Sequence, residues 1–234
     1  MLDREAGSER LYPSIFGRMA SRYYYLRQLR KAIEEVILKF VARKDKKLVL
    51  ADYGCGNKPY EVLIGPYVER YIGLDLIENP IADIHISPEG KIDLDNQSLD
   101  VVLSTQVLEH VVNPLLYLSE ANRVLKKDGL LILSTHGYWM FHPDPTDFWR
   151  WTSTGLRKIV SEAGFEIVYF KGIIGRSAMG IQLFQDGILF KLPKFLRPLL
   201  ALFIQPWIIL FDKTTAQNTK DKDACTFILV ARKL

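Results

Sequence analysis

Between Leu48 and Asn57 a continuous apolar run, LVLADY, passes directly into Gly-Cys-Gly-Asn. A run without polar alternation is what a strand covered on both faces looks like, and the two glycines let the chain turn sharply at its carboxyl end. Similar runs recur along the chain with helical spacing between most of them. YIGLDL begins at Tyr71, ADIHIS at Ala82, LDVVLST at Leu99, LLILST at Leu130, FEIVYF at Phe165 and ACTFILVARK at Ala224. Strands alternating with helices predict an α/β, Rossmann-like fold: seven strands with helices on both faces. The last strand is expected to enter antiparallel, as an edge or hairpin partner. The few residues between the second and third strands, among them Asn79 and Pro80, are too few for a crossover helix.

Helical periodicity is clearest in two places. Tyr24, Leu26, Leu29, Ile33, Val36, Ile37 and Phe40 predict an amphipathic helix from about Ala20 to Val41, followed by a charged break from Arg43 to Lys47. Asn113 and Pro114 supply an N-cap and first turn, with Leu115, Leu116, Leu118, Ala121, Val124 and Leu125 expected inward and Lys126, Lys127 and Gly129 closing the helix. Pro59 opens a short helix through PYEVLIG, and Thr152 or Ser153 caps another that ends near Ala163 and Gly164. The chain therefore reads as one domain: an N-terminal helical extension (1–47), a core (48–175), a helical insertion or lid (176–212) and a final strand (213–234).

Lys and Arg number 31 against 27 Asp and Glu, a mild excess spread along the chain rather than the clustered stripe that nucleic acid requires. No nucleic-acid partner is expected. Cys55 and Cys225 have no spacing suited to zinc or to a redox pair, the N-terminus has no apolar run of signal-peptide type, and a cytoplasmic location is expected. The greasiest segment, Phe195–Phe211, is interrupted by Arg197, Pro198, Gln205 and Pro206 and is not expected to span a bilayer. Residues 192–211 have three readings: a lid or dimer surface, core packing, or in-plane membrane contact with Lys191, Lys194 and Arg197 at its edge.

In an open α/β sheet ligands bind beyond the carboxyl ends of the strands where their order reverses, which directs attention to the loop Asp52-Tyr53-Gly54-Cys55-Gly56-Asn57. Its glycines admit close approach of a ligand, and amides at the following helix are expected to be open to it. A dinucleotide fingerprint would need Gly or Ala where Pro59 stands, and no Gly-Lys-Ser/Thr follows for a P-loop. Asp75, 19 residues after Gly56, ends the second strand where a carboxylate accepts hydrogen bonds from ribose hydroxyls. A nucleoside carrying something other than phosphates is implied.

These segments together resemble the class I S-adenosylmethionine-dependent methyltransferases, particularly the type 11 group. LVLADYGCGNKPY is similar to their first motif, YIGLDL to the second, LDVVLSTQVLEHVVNP to the fourth and RVLKKDGLLILST to the fifth, covering about residues 48–171. HPDPTDFWRWT further resembles a segment of methyltransferases from bacterial polysaccharide and glycan pathways. The resemblance implies S-adenosylmethionine as cofactor, with Asp52, Gly54 and Gly56 around its methionine portion and Cys55 and Asn57 in the same turn. Asp75 would take the ribose hydroxyls, Leu76 would flank the adenine, and Thr105 and Gln106 would face the methionine carboxylate or sulfonium. Ser87 stands where the family often has an acid for the adenine amino group, so either its hydroxyl or the backbone takes that role.

The implied reaction is attack of an acceptor lone pair on a sulfonium methyl, and a hydroxyl acceptor needs a base. His142, oriented by Asp144, is the candidate in the loop after the fifth strand. His110, His136 and Asp147 are the other titratable groups considered. His136, Trp149 and Arg150 are candidate contacts for a small-molecule or glycan acceptor, Arg150 alternatively pairing with Asp147. Trp151 and Phe148 read as packing. Glu109 and His110, at the start of the helix after strand four, would ligate a divalent metal only with a third carboxylate; no metal is expected. The alternative function is a catalytically silent S-adenosylmethionine-binding or scaffold protein whose apolar C-terminal region mediates assembly or membrane contact.

Overall fold

A computed structural model describes residues 7–42, 47–189 and 191–234. The charged break at 43–46 lies outside them. After a short α1 (Gly7–Leu11), α2 (Tyr23–Val36) runs into a wider π-type turn at Ile37–Val41, so the predicted helix reaches its expected end. Then come β1 (Leu48–Tyr53), α3 (Glu61–Ile64), β2 (Val68–Leu76), β3 (Ile84–Ile86), β4 (Leu99–Thr105), α4 (Pro114–Val124), β5 (Leu125–His136), α5 (Ser153–Glu162) and β6 (Phe165–Gly175). The insertion forms α6 (Arg176–Leu189) and α7 (Arg197–Lys213), followed by α8 (Gln217–Lys220) and β7 (Ala224–Lys233).

The seven strands form one sheet in the order β3-β2-β1-β4-β5-β7-β6, with β7 antiparallel to both neighbours. The antiparallel entry beside β6 is as expected, but β7 is interior rather than an edge strand. Leu229 pairs with Leu133 on one side and Phe170 on the other, and the eight residues from Ala224 to Ala231 are all buried. A run as uniformly apolar as TFILVA is stable only where both faces and both edges are covered. Alternate residues feed two cores: Leu50, Leu103, Ile132 and Val230 pack towards α2, whereas Ala51, Val102, Leu133 and Leu229 pack towards α4 and α5.

Asn113 Oδ1 accepts the Leu116 amide at 3.1 Å and Thr152 Oγ1 that of Gly155 at 3.0 Å, as the capping residues predict. Two expectations for α4 are corrected. Leu115 and Leu116 are exposed, because Tyr117 sets the phase of the helix and the inward face is Pro114, Tyr117, Leu118, Ala121 and Val124. Lys126, Lys127 and Gly129 do not close the helix, since the chain becomes extended at Leu125 and enters β5. Lys126 instead pairs with Asp100 at 3.0 Å. The helix α7 continues through Pro206. With its 3-10 lead-in it covers Lys194–Lys213, long and apolar enough by composition to cross a bilayer.

Candidate active site

Sheet order reverses between β1 and β4, and the turn after β1 lies there. Gly54 and Gly56 have φ of +84° and +50°, the left-handed region that a side chain disfavours. At Gly54 a Cβ would also lie 2.5 Å from the Val107 side chain, whereas one at Gly56 would meet no heavy atom within 4 Å. The turn is thus sealed beneath and open above. The amides of Gly54 and Cys55 donate to Leu74 O (2.8 and 3.0 Å), that of Lys58 to Cys55 O (2.9 Å) and that of Gly56 to Asp75 Oδ2 (2.9 Å). These four turn amides are engaged within the protein, as are those of Glu61, Leu63 and Ile64 in the helix that follows.

Asp75 Oδ2 also accepts Asn79 Nδ2 at 2.7 Å, and Oδ1 accepts the Leu76 amide at 2.8 Å. Asp52, 1% exposed, accepts a hydrogen bond from the Tyr71 hydroxyl through Oδ2, while its buried Oδ1 has no hydrogen-bond partner. Burial pushes this carboxyl up to about 7, with the Tyr71 bond opposing it. Burial also raises the Cys55 thiol to about 12, so Cys55 is packing rather than a nucleophile. Asn57 and Leu76 are half-buried at the rim. Ser87 Oγ accepts the Lys91 amide at 3.2 Å, which commits the hydroxyl to a turn just past β3. Lys58, not singled out from sequence, pairs with Asp83 at 2.7 Å.

Thr105 is half-buried at the mouth of β4. Gln106 beside it (φ +57°) is held at both ends of its amide: Nε2 donates to Ser134 Oγ at 2.9 Å and Oε1 accepts the Tyr25 hydroxyl at 3.1 Å. Rather than presenting a free amide to a ligand, Gln106 joins α2 to the mouth of β5. His136 ends β5, 3% exposed, with Nδ1 3.2 Å from Thr226 Oγ1, its ring stacked on Trp139 at 4.5 Å and Nε2 3.4 Å from Glu109 Oε1. Glu109 Oε2 accepts Thr135 Oγ1 at 2.8 Å, and Oε1 has no aligned donor. Burial raises the Glu109 carboxyl and drives the His136 imidazole well below its ordinary value, disfavouring charge on both.

The loop after β5 is organised by Arg150. Its guanidinium grips Asp147 bidentately (both 2.6 Å) and donates to the carbonyls of Trp139 (3.0 Å), Met140 (2.6 Å) and Trp149 (2.7 Å). The sequence left Arg150 between binding an acceptor and pairing with Asp147; the fork is spent on the pair. Asp147, not Asp144, is the carboxylate beside His142, because the loop returns residue 147 to the His142 amide at 2.9 Å. His142 Nδ1 lies 3.1 Å from Met140 O, 3.2 Å from Asp147 Oδ2 and 3.4 Å from Arg150 Nη2; the two nearer oxygens favour a proton on Nδ1, which leaves Nε2 as an acceptor. Burial holds this imidazole below its ordinary value, against the pull of Asp147. Trp149 is partly exposed and donates to Val111 O at 2.7 Å; Trp151 is half-buried against the core, whereas Phe148 is exposed, not packed as expected.

The loop thus brings His110, His136 and His142 within ring distances of 4.9 and 5.1 Å about His142. Glu109, His110 and His142 also set one donor atom each within 4.8 Å of one another, an imidazole standing where a third carboxylate was expected. Tyr25 and Trp139, 4.5 Å apart, complete the wall. Tyr25 escaped sequence reading because, four residues before Leu29, it falls on the buried face like any core position; the run Tyr23-Tyr24-Tyr25 was the available signal.

The family profile of a methyltransferase domain matches residues 25–169, more than half the chain. The chain belongs to this methyltransferase family. A Mycolicibacterium smegmatis protein named as a probable S-adenosylmethionine-dependent methyltransferase is 28% identical over 164 residues, 64% of this chain and 62% of that protein. A ubiquinone biosynthesis O-methyltransferase of Dinoroseobacter shibae is 27% identical over 162 residues, 55% of this chain and 64% of that protein. The chain spans less than two thirds of the length of these curated relatives. Among solved structures, the [4+2]-cyclase SpnF superposes with a TM-score of 0.58 at 18% identity, covering 89% of this chain and 82% of that one. That likeness concerns the fold, which family membership and the sheet order together identify as the Rossmann-like methyltransferase type.

Proposed function

We propose that this methyltransferase-family chain binds S-adenosylmethionine and transfers its methyl group to a hydroxyl oxygen of a small-molecule or glycan-type acceptor. The open space above Gly56 and the orphaned Asp52 Oδ1 fit a ligand with polar hydrogens at the end of β1. Asp75, with one of its oxygens accepting just the Leu76 amide among the described contacts, fits ribose hydroxyls. When bound, the cofactor supplies a methyl group activated by a sulfonium. Asp52 and Asp75 hold it; the walls of His136, Trp139 and Tyr25 exclude water from the acceptor side.

The observation that carries O-methylation is the seating of His142 Nδ1 against the Met140 carbonyl and the Asp147 carboxylate, which favours Nε2 as the proton acceptor. With the cofactor bound, its sulfonium methyl would be the group transferred to the acceptor oxygen, and Nε2 of His142 would take the hydroxyl proton that the acceptor gives up. Asp147 then steadies the imidazolium. Such a base contributes roughly 10²–10⁴-fold, and alignment of the two reactants supplies about 7 kcal/mol or more. The names of the Dinoroseobacter shibae relative and its kin support oxygen as the atom methylated.

Calorimetry with S-adenosylhomocysteine followed by turnover of labelled cofactor against hydroxylated aromatics, nucleotide sugars and lipid-linked glycans tests the reading. Binding without turnover on any hydroxyl acceptor favours the silent binding protein. Absence of cofactor binding removes both.

A further inference from the structure

The α6–α7 hairpin buries a polar cluster among its small and apolar inner residues and turns a row of large apolar side chains outward. Gln182, Gln185, Asp186, Gln205 and Asp212 are each 3% exposed or less. All three glutamines donate to the single carbonyl of Ser21 (2.9, 2.8 and 3.1 Å), and Gln205 Oε1 returns to the Tyr24 amide at 3.0 Å. Asp186 takes Arg22 at 2.5 Å, while Asp212 takes the Tyr24 hydroxyl, the Gly175 amide and Lys220, each at 2.8 Å. Outward stand Phe184, Phe195, Leu199, Phe203, Trp207 and Leu210, between 51% and 76% exposed. A helix pair facing water is built the other way round, with its apolar stripe inward. Satisfied polar groups inside and large apolar side chains outside suit a lipid surround.

Charge decides the occupant. From Arg176 to Lys213 the chain has two acids, Asp186 and Asp212, both buried and paired. Of its five bases, Arg176, Lys191, Lys194 and Lys213 are exposed and Arg197 is half-buried. The outer face is therefore aromatic and aliphatic, framed by Lys191, Lys194, Arg197 and Lys213, while Arg176 at the start of α6 pairs with Asp223 at 3.4 Å. A second copy would bring like charges together, whereas an anionic bilayer complements the face. Gln205 and Asp212 tie α7 to α2 and β6 along its length, so the helix cannot leave the domain to cross the membrane and lies along its surface.

We propose that the outer face of the α6–α7 hairpin docks in-plane on an anionic lipid bilayer. Arg22, which holds Asp186, also lies 4.6 Å over Trp139 and donates to Met140 Sδ at 2.9 Å, so the docked hairpin is one ion pair away from the loop that carries His142. The docking itself does not depend on methyl transfer.

Cosedimentation of the full chain with phosphatidylcholine vesicles, with and without phosphatidylglycerol, tests this. Binding is expected to the anionic vesicles, roughly tenfold or more weaker to the neutral ones, and to fall with added salt. Trp207 emission should shift to the blue and be quenched by brominated lipid, a change absent in Trp207→Phe. Phe203→Glu should abolish sedimentation while leaving the circular-dichroism melt and S-adenosylhomocysteine affinity unchanged. Failure to bind anionic vesicles overturns the proposal, as does equal binding to neutral ones, binding that survives Phe203→Glu, or a concentration-dependent dimer that hides Trp207 without vesicle binding.

Discussion

Asp75 Oδ2 accepts the amide of Gly56 at 2.9 Å, so the end of β2 and the glycine turn after β1 form one unit rather than two separate contacts to a ligand. Asp75→Ala should therefore weaken S-adenosylhomocysteine binding by roughly 1.5–3 kcal/mol through loss of charge-assisted hydrogen bonds and of the turn's anchor. Titration calorimetry measures it. Unchanged affinity in a folded variant would place the ribose elsewhere.

His142→Ala should lower turnover by roughly 10²–10⁴-fold with cofactor affinity intact. Because burial keeps the imidazole below its ordinary value, the neutral, competent form dominates from slightly acidic pH upwards. Activity should rise with pH through a midpoint below about 6.5, the unperturbed value, and level off near neutrality. A pH profile of single-turnover rates checks this, and full activity in the variant would eliminate His142 as the base.

Asp52 gives a stability signature of opposite sense to that of a paired carboxylate. Its folded value of about 7 lies above the model-peptide value, so the folded state holds the proton more tightly. Its contribution is intact in acid below the unfolded value, declines as pH rises from there through about 7, and is constant above. Asp52→Asn should raise the melting temperature of the ligand-free protein above neutral pH, on the order of 5 °C or more, and have little effect in acid. Calorimetric melts across that range decide it; equal destabilisation at every pH would contradict the assignment.

Arg150→Ala should destabilise the fold by about 3 kcal/mol or more, since the Asp147 side chain, 1% exposed, would lose its bidentate partner. Although burial opposes it, the Arg150 hydrogen bonds hold the Asp147 carboxyl below its ordinary value. The stabilisation is thus in place above the ordinary carboxylate range and lost as pH falls through the lower folded value. Arg150→Lys should recover part of the stability but little of the turnover, because an ammonium cannot hold the loop carbonyls and the carboxylate at once. Denaturant titration beside kinetics separates the two effects.

The strands were legible because buried parallel strands announce themselves as unbroken apolar runs, and β4 at Leu99–Thr105 begins and ends where the sequence predicts. The caps Asn113 and Thr152 were legible because side-chain capping is local chemistry. What was hidden depended on distant segments meeting. Nothing near Gln106 in sequence foretells Tyr25, 81 residues away, and Asp147 replaces Asp144 because a loop closes on Arg150. The interior placement of β7 likewise rests on pairings with strands far back in the chain.

That placement has a consequence for biogenesis. β5 and β6 never touch each other directly; each finds its neighbour in residues 224–233. A ribosome that has delivered everything up to α8 has therefore released a chain with a one-strand gap flanked by two unsatisfied, apolar edges, the kind of surface that recruits chaperones or stray strands. Nascent molecules are at their most adhesive just before the gap is filled, and a nick or frameshift upstream of Ala224 would leave them permanently in that condition.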